Sequence, residues 1–242
     1  MDRLLGEEHR KGVLYILTTG GGVRRPQDVL SMEEHYGWPR NHREGYPDLV
    51  GPEVGLGRDA DEFNALHQNI QVVLVNQFGW SQSLIGKRLP AKMDISDLRR
   101  GTDVEFGMAT YEPFGISPLE PLSCGAICVV SNVCGCKGFV DHVTGNKGTP
   151  NVVIADFTRL DHDKALDEIK AMSQLERDNL EWKVSADVAR QIVQRLARSD
   201  AQLQELIDTG KKLVSRMGWD QVLEEGMIPM LQRIRAMPSN GG

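Results

Sequence analysis

Five short, mainly apolar runs divide the first two thirds of the chain, and the fourth of them is rich in β-branched residues. Each spans five or six residues and is bounded by polar or glycine-rich sequence, which is typical of buried strands. The predicted strands cover residues 13–17, 70–75, 104–109, 126–130 and 151–155. Between them, the spacing predicts helices at 26–35, 60–68, 94–99 and 115–123. Strands that alternate with helices indicate an α/β fold with a mostly parallel sheet of five or six strands.

From about residue 163 to 235 the pattern becomes almost wholly helical. Apolar residues recur every three or four positions at 188, 192 and 196, and again at 203, 206 and 207. Gly210 and Gly218 are predicted to end helices in this region. The sequence therefore predicts an α/β domain over residues 1–162 and a helical C-terminal section over 163–242 that packs on the same domain.

Composition and charge narrow the class of protein. The chain has 242 residues, a net charge of −6 and no long apolar run, so we expect a globular protein with no membrane span. The acidic balance argues against nucleic acid as the main partner, because a phosphate backbone requires a basic face. The first eleven residues are charged and lack the apolar stretch of a signal peptide, which makes the cytoplasm the expected location.

The four cysteines, Cys124, Cys128, Cys134 and Cys136, are confined to one apolar, glycine-rich region. They contain no Cys-x-x-Cys pair and no histidine at the spacing of a metal ligand. We therefore interpret them as small buried residues rather than as a metal site, and expect no metal cofactor.

The segment 111–120, Tyr-Glu-Pro-Phe-Gly-Ile-Ser-Pro-Leu-Glu, has the strongest chemical character in the chain. Glu112 is placed at the carboxyl end of a predicted strand, where parallel sheets bind ligands. Pro113 ends that strand because it cannot donate a backbone hydrogen bond. Gly115 permits an unusual backbone conformation and a close approach to a ligand.

The predicted helix that follows adds two further features. The backbone amides of Ile116 and Ser117 are expected to be unpaired at its N-terminus, which suits a phosphate. Glu120 lies eight residues after Glu112 and is expected to face the same cleft, where its carboxylate would accept hydrogen bonds from a ribose. Two carboxylates on either side of a phosphate site would suit a sugar nucleotide.

This segment resembles the Glu-x-x-x-x-x-x-x-Glu motif of retaining glycosyltransferases with two Rossmann-like domains. It is most similar to glycogen synthase of the animal and fungal type, which shows Tyr-Glu-Pro-Trp-Gly-Tyr-Thr-Pro-x-Glu. A strand and an Asn-Leu-Ser-Gly loop follow in that family, and here a predicted strand precedes Ser-Asn-Val-Cys-Gly at 131–135. The resemblance covers roughly residues 70–235 and implies a Rossmann-like, donor-binding C-terminal half of such an enzyme.

The resemblance assigns roles residue by residue. Glu112 would hold the sugar hydroxyls near the reacting carbon and stabilise the positive charge that develops there. Gly115, Ile116 and Ser117 would hold the distal phosphate. Glu120 would bind the ribose.

Two further donor-binding positions come from the same resemblance. Tyr111 opens the motif, and Ile95 occupies the position where the family often stacks a tyrosine on the base, so the identity of the base stays open. The implied reaction moves a sugar, glucose by this likeness, from a UDP- or ADP-sugar to an α-glucan or another carbohydrate acceptor. The configuration at the sugar would be retained and no metal would be needed.

One part of the family's machinery has no clear counterpart. The family neutralises the departing phosphates with an arginine and a lysine that precede the strand corresponding to 13–17, and Arg10 and Lys11 lie too close to that strand to substitute. The family's acceptor domain also lies upstream. We therefore expect this chain alone to bind a nucleotide weakly and to transfer no sugar, with an N-terminal acceptor domain or subunit as its partner.

Several alternatives stay open at this point. Other retaining glycosyltransferases, such as a sucrose-type synthase or a lipid-directed mannosyltransferase, share the motif. A non-catalytic subunit could use the same fold to bind a nucleotide sugar. The glycine-rich segment 20–25 favours a flexible turn over a phosphate loop, and the segment around His35 and His42 favours an ordered surface loop over a catalytic site.

Overall fold

The structure is a computed structural model in which two compact units, Met1–Gly101 and Thr102–Gly242, can be described separately. The described residues are 1–17, 53–75, 82, 90–108, 112–113, 115, 117–160 and 164–237. Outside these ranges lie the glycine-rich segment 20–25, the predicted helix at 26–35, the segment around His35 and His42, and the residues Tyr111 and Ile116.

The described part of the first unit contains two parallel strands and helices of six to fourteen residues. Its elements are α1 (Asp2–Glu7), β1 (Gly12–Leu17), α2 (Glu53–Leu66), β2 (Ile70–Val75) and α3 (Ile95–Arg100). Strands β1 and β2 pair in parallel from Gly12 opposite Ile70 to Leu17 opposite Val75.

Side-chain hydrogen bonds attach two helices to β2. One carboxylate oxygen of Asp2 in α1 accepts the backbone N–H groups of Asn69 and Ile70, each at 2.8 Å. The Asn64 amide in α2 bonds both the N–H and the C=O of Val72, at 2.7 and 2.9 Å. These contacts fix both helices at the start of β2, since each satisfies backbone groups that a two-stranded sheet leaves open.

The second unit is a three-stranded parallel sheet covered by helices. Its elements are β3 (Val104–Gly107), a 3₁₀ helix (Ser117–Cys124), β4 (Ile127–Ser131), α4 (Gly135–Thr144), β5 (Val152–Ala155), α5 (Leu166–Lys170), α6 (Gln174–Arg195), α7 (Asp200–Val214), α8 (Trp219–Val222), a π-helical turn (Leu223–Met227) and α9 (Ile228–Ala236). The strand order is β3-β4-β5, and all five residues of the central strand are buried. Helix α6 packs on β4 and β5, while α7 packs on the 3₁₀ helix.

The predicted α/β class and the positions of all five predicted strands are confirmed, with bounds that shift by no more than two residues. The prediction that the first strand is buried is wrong, because Val13, Tyr15 and Leu17 of β1 are exposed. The described strands, however, form one sheet of two strands and one of three, whereas a single sheet of five or six was expected. Among the described residues, every strand pairs only with strands of its own unit: β1 with β2, and β4 with β3 and β5. The division at residues 101 and 102 also differs from the predicted boundary near 162, which stays a prediction.

Three helix predictions need correction. Helix α2 begins at Glu53 and ends at Leu66, whereas the sequence predicted a helix only at 60–68. The predicted helix at 115–123 is a 3₁₀ helix, because Pro118 and Pro121 lack the N–H groups of an α-helix and disfavour the α conformation at the residue before each. Gly210 lies inside α7 rather than at its end, and Gly218 is the N-cap of α8. Within the described residues, no helix is both long and apolar enough to cross a membrane.

Candidate functional site

Glu112 lies beyond the carboxyl end of β3, beside the end of β4. It forms an isolated parallel bridge with Cys134, and its carbonyl oxygen accepts the N–H of Gly135 at 2.9 Å. The side chain of Glu112 is half-buried. The structure thus places Glu112 at the edge of the sheet where the sequence predicted it, and attaches it to the start of α4.

Gly115 closes a tight turn on Glu112. Its φ of +51° lies in the left-handed region, and its N–H donates to Glu112 Oε1 at 3.2 Å. A Cβ at Gly115 would overlap Cys134 Sγ and would lie 2.8 Å from Glu112 Cγ. The unusual backbone conformation predicted for Gly115 is therefore confirmed, and the close approach that requires glycine includes an approach to Cys134.

The 3₁₀ helix brings two predicted site residues onto one row. Residues three apart eclipse each other in a 3₁₀ helix, so Ser117 and Glu120 share a row and both are exposed. Leu119 and Leu122 share another row and are buried in the core. The helix therefore has an apolar side that fixes it to the sheet, while its solvent side carries the hydroxyl and carboxylate that were predicted to bind a donor.

The structure does not test the roles of three further residues that were predicted to bind the donor. Ile95 is the first residue of α3 and is half-buried. The Asp94 carboxylate caps that helix and accepts the N–H groups of Ser96 and Asp97. Ile95 belongs to the first unit, so its role beside a base stays a prediction. Tyr111 and Ile116 lie outside the described residues, and their roles stay predictions as well.

Helix α4 is the element near the site that the sequence did not predict. Its apolar residues Cys136, Val140 and Val143 have helical spacing and are buried. That spacing was the available signal, but Gly135 and Gly138 interrupt it and made the segment resemble a loop. Because its N-cap, Cys134, contacts the Glu112–Gly115 turn, α4 forms one wall of the candidate site.

The two thiols at the start of α4 are close to each other and inaccessible. Cys134 Sγ and Cys136 Sγ lie 2.9 Å apart, and both side chains are buried. Burial, together with the hydrogen bond between the two thiols and the proximity of Cys134, raises the pKa of Cys136 to about 12. A thiol that stays protonated is a poor nucleophile and a poor metal ligand, which favours a packing role. In the described ranges no three His, Cys, Asp or Glu residues are grouped as a metal site requires, and the expectation of no metal stays untested.

The chain was also compared with known proteins. Residues 82–160 match the family model described as "Glycosyl transferases group 1", which covers about a third of the chain. The matched segment contains Glu112, Gly115, the 3₁₀ helix and α4. No curated protein is significantly similar to the chain. The match supports a glycosyltransferase relationship and, with the parallel α/β architecture, a Rossmann-like fold. It also supports glycosyl transfer in general terms, with a nucleotide-sugar donor and a carbohydrate acceptor.

Proposed function

We propose that this chain is the donor-binding part of a retaining hexosyltransferase similar to glycogen synthase. The observation that carries the proposal is the Glu112–Gly115 turn at the carboxyl end of β3, followed directly by a 3₁₀ helix with Ser117 and Glu120 on its solvent side. The nine residues 112–120 contain, in this order, a carboxylate, a left-handed glycine and a second carboxylate. These three groups fit the sugar, phosphate and ribose portions of one nucleoside diphosphate sugar.

Each residue has a defined part in this proposal. The carboxylate of Glu112 holds sugar hydroxyls and stabilises the cationic character that develops at the anomeric carbon. Preorganised charges of this kind contribute about 10²- to 10³-fold to a rate. The N–H of Ser117 and the backbone near Gly115 accommodate the distal phosphate, since a glycine leaves room for a phosphate oxygen to approach the main chain. Glu120 accepts hydrogen bonds from the ribose.

The finer specificity comes from the likeness of the motif to glycogen synthase. Glucose as the sugar, UDP or ADP as the carrier and an α-glucan as the acceptor are the substrates we propose. The leaving phosphate assists the incoming hydroxyl on the same face of the sugar, so the configuration at the anomeric carbon is retained. We place this reaction in the cytoplasm and assign it no metal.

Calorimetric titration with UDP-glucose, ADP-glucose and GDP-mannose tests the donor assignment. We expect one glucose nucleotide to bind best, and Glu120→Gln to weaken it about 10- to 100-fold, because a hydrogen bond to a charged group contributes about 1.5–3 kcal/mol. Glu205→Gln, at an exposed glutamate on α7, is the matched control and should leave the affinity unchanged. If none of the three nucleotides binds, or if both variants behave alike, the donor assignment is wrong.

A transfer assay addresses the reaction itself. We expect this chain alone to bind the nucleotide sugar and to transfer no radiolabelled glucose to maltotetraose. Glucose transfer by the chain alone would contradict this expectation, and its loss in Glu112→Gln but not in the control Glu205→Gln would then assign the reaction to Glu112.

A further inference from the structure

A cleft opens at the carboxyl edge of the three-stranded sheet. Its volume is about 250 Å³, and the described residues that line it are Met108, Phe157, Glu181, Val184 and Ser185. The first of these directly follows β3, and the second follows β5 by two residues, whereas the other three lie on α6. The cleft therefore lies between the ends of two strands and the middle of a helix.

This cleft lies on the opposite face of the sheet from the 3₁₀ helix. Gly107 faces that helix, because a Cβ there would overlap the ring of Pro118. Successive residues of a strand point to opposite faces, so Met108 points away from the 3₁₀ helix and toward α6. The cleft is consequently separate from the Ser117 and Glu120 row.

Phe157, the aromatic residue of the cleft, lies in a hydrogen-bonded turn that follows β5. Phe157 donates its N–H to Asn132 Oδ1 at 3.2 Å. Asp156 Oδ1 accepts Asn132 Nδ2 at 2.6 Å, and the N–H and hydroxyl of Thr158 at 3.1 and 2.8 Å. These bonds link the turn after β5 to the residue after β4, so the Phe157 backbone is ordered before any ligand arrives. A preorganised platform reduces the entropy that binding costs.

The lining combines apolar walls with hydrogen-bond acceptors. Met108, Phe157 and Val184 supply the apolar surface. The Ser185 hydroxyl already donates to the carbonyl of Trp182 at 2.8 Å, which leaves its lone pairs as acceptors. The Glu181 carboxylate is exposed, and no residue in the described ranges pairs with it.

This chemistry selects among ligands. A carboxylate and hydroxyl lone pairs need a ligand rich in donors, and an aromatic ring needs a ligand with an apolar, slightly positive C–H face. A hexose ring has both properties, whereas a phosphate has no donor when fully ionised and is repelled by Glu181. The volume lies below the range of about 300–1,000 Å³ that is typical of drug-sized ligand pockets, so the cleft fits a single ring.

We propose that this cleft is a glycan subsite that binds one hexose unit of the acceptor, with Phe157 as the stacking residue and Glu181 as the hydroxyl acceptor. The proposal rests on the proposed function only for the identity of the glycan, an α-glucan. The subsite would be a carbohydrate-binding site on the sheet face opposite the donor residues. A longer acceptor chain binds there without contacting the nucleotide.

Titration of the full chain with maltotetraose tests the subsite. We expect weak binding that Phe157→Ala and Glu181→Gln each reduce about three- to tenfold, in line with the loss of one aromatic contact or one charged acceptor. Phe139→Ala, at another partly exposed phenylalanine on α4, is the matched control and should leave the affinity unchanged. Glu181→Gln keeps the test valid if Phe157→Ala fails to fold, since it alters only an exposed side chain.

Three outcomes would overturn the subsite: no maltotetraose binding to the unaltered chain, equal binding by both cleft variants and the control, or binding of tetramethylammonium in place of the glycan. UDP-glucose affinity, measured on the same samples, separates this result from the donor assignment. Loss of glycan binding in the cleft variants with unchanged UDP-glucose affinity supports two separate sites. Cleft-dependent glycan binding by a chain that binds no nucleotide supports the subsite while refuting the donor assignment.

Discussion

Gly210 allows α7 to pack directly against the backbone of the 3₁₀ helix, and its replacement by alanine tests this packing. The residue is buried in the interior of α7. A Cβ there would overlap the carbonyl oxygen of Leu122, would lie 2.7 Å from the carbonyl carbon, and would lie 3.5 Å from Asn151 Nδ2. The obstacle is main chain and cannot rotate away, so the helices must separate.

Two opposing terms set the size of the effect. Alanine is favoured over glycine in a helix interior by about 1 kcal/mol. Overpacking a tight interface costs about 1–3 kcal/mol, and a clash with backbone belongs at the upper end. Separation of the helices also strains the bond from Asn151 Nδ2 to the Leu206 carbonyl, which is 3.0 Å long. We expect Gly210→Ala to lower the free energy of unfolding by about 2 kcal/mol, since the clash of about 3 exceeds the propensity gain of about 1.

The matched control is Gly138→Ala in α4, because a Cβ at this helical glycine meets nothing within 4 Å. Here only the propensity term acts, so the free energy of unfolding should rise by about 0.5–1 kcal/mol. Urea unfolding followed by circular dichroism measures both changes. The reasoning is refuted if Gly210→Ala is as stable as the unaltered chain, or if both substitutions shift stability in the same direction.

Three further predictions follow from local contacts. Gly115→Ala should lower stability by about 1–3 kcal/mol and weaken nucleotide binding, because the methyl group meets Cys134 at a left-handed position; unchanged urea midpoints and calorimetric affinity would contradict this. Because the pKa of Cys136 is raised, the stabilising contribution of its protonated thiol is complete below the ordinary pKa of 9.0 and is lost as the pH rises toward about 12. The midpoint of urea unfolding should therefore fall above pH 9, and it should fall less steeply in Cys136→Ala. Parallel pH curves for the variant and the unaltered chain would count against this prediction. Hydrogen bonds from the Ser173 backbone and side chain, with Lys164 nearby, lower the pKa of Glu176 to about 2. The stabilising contribution of the Glu176 carboxylate is therefore present above pH 4.5 and is lost as the pH falls toward 2. The Tm of Glu176→Gln should approach that of the unaltered chain as the pH falls, and a difference in Tm that is independent of pH would rule this out.

Local sequence was sufficient for the strands and for the turn at Glu112. The apolar runs located all five strands, although β1 alternates between half-buried and exposed residues, and the left-handed turn at Gly115 follows from the conformational freedom of glycine. The 3₁₀ helix could also have been predicted, because Pro118 and Pro121 are visible in the sequence and restrict the backbone on both sides.

Features that depend on distant partners could not be predicted in this way. From sequence alone, Gly210 is predicted to end a helix; its actual role, close packing against the carbonyl of Leu122, depends on a residue that is distant in the sequence. The contact of Cys134 with Gly115 requires the register between the ends of β3 and β4. The proposed glycan cleft requires Phe157, which follows β5, and Glu181, on α6, to line the same cavity. These two residues lie far apart in the sequence, so local sequence does not reveal that they are neighbours.

The central claim is that the Glu112–Glu120 segment surrounds a sugar diphosphate. Amide chemical shifts of ¹⁵N-labelled chain, recorded during titration with UDP-glucose and ADP-glucose, locate the ligand residue by residue. The account predicts that the amides of Gly115 and Ser117 shift with the first additions of one of these nucleotides, and that Glu120→Gln suppresses the change. Shifts confined to residues outside this segment, or none at all with either nucleotide, would contradict it.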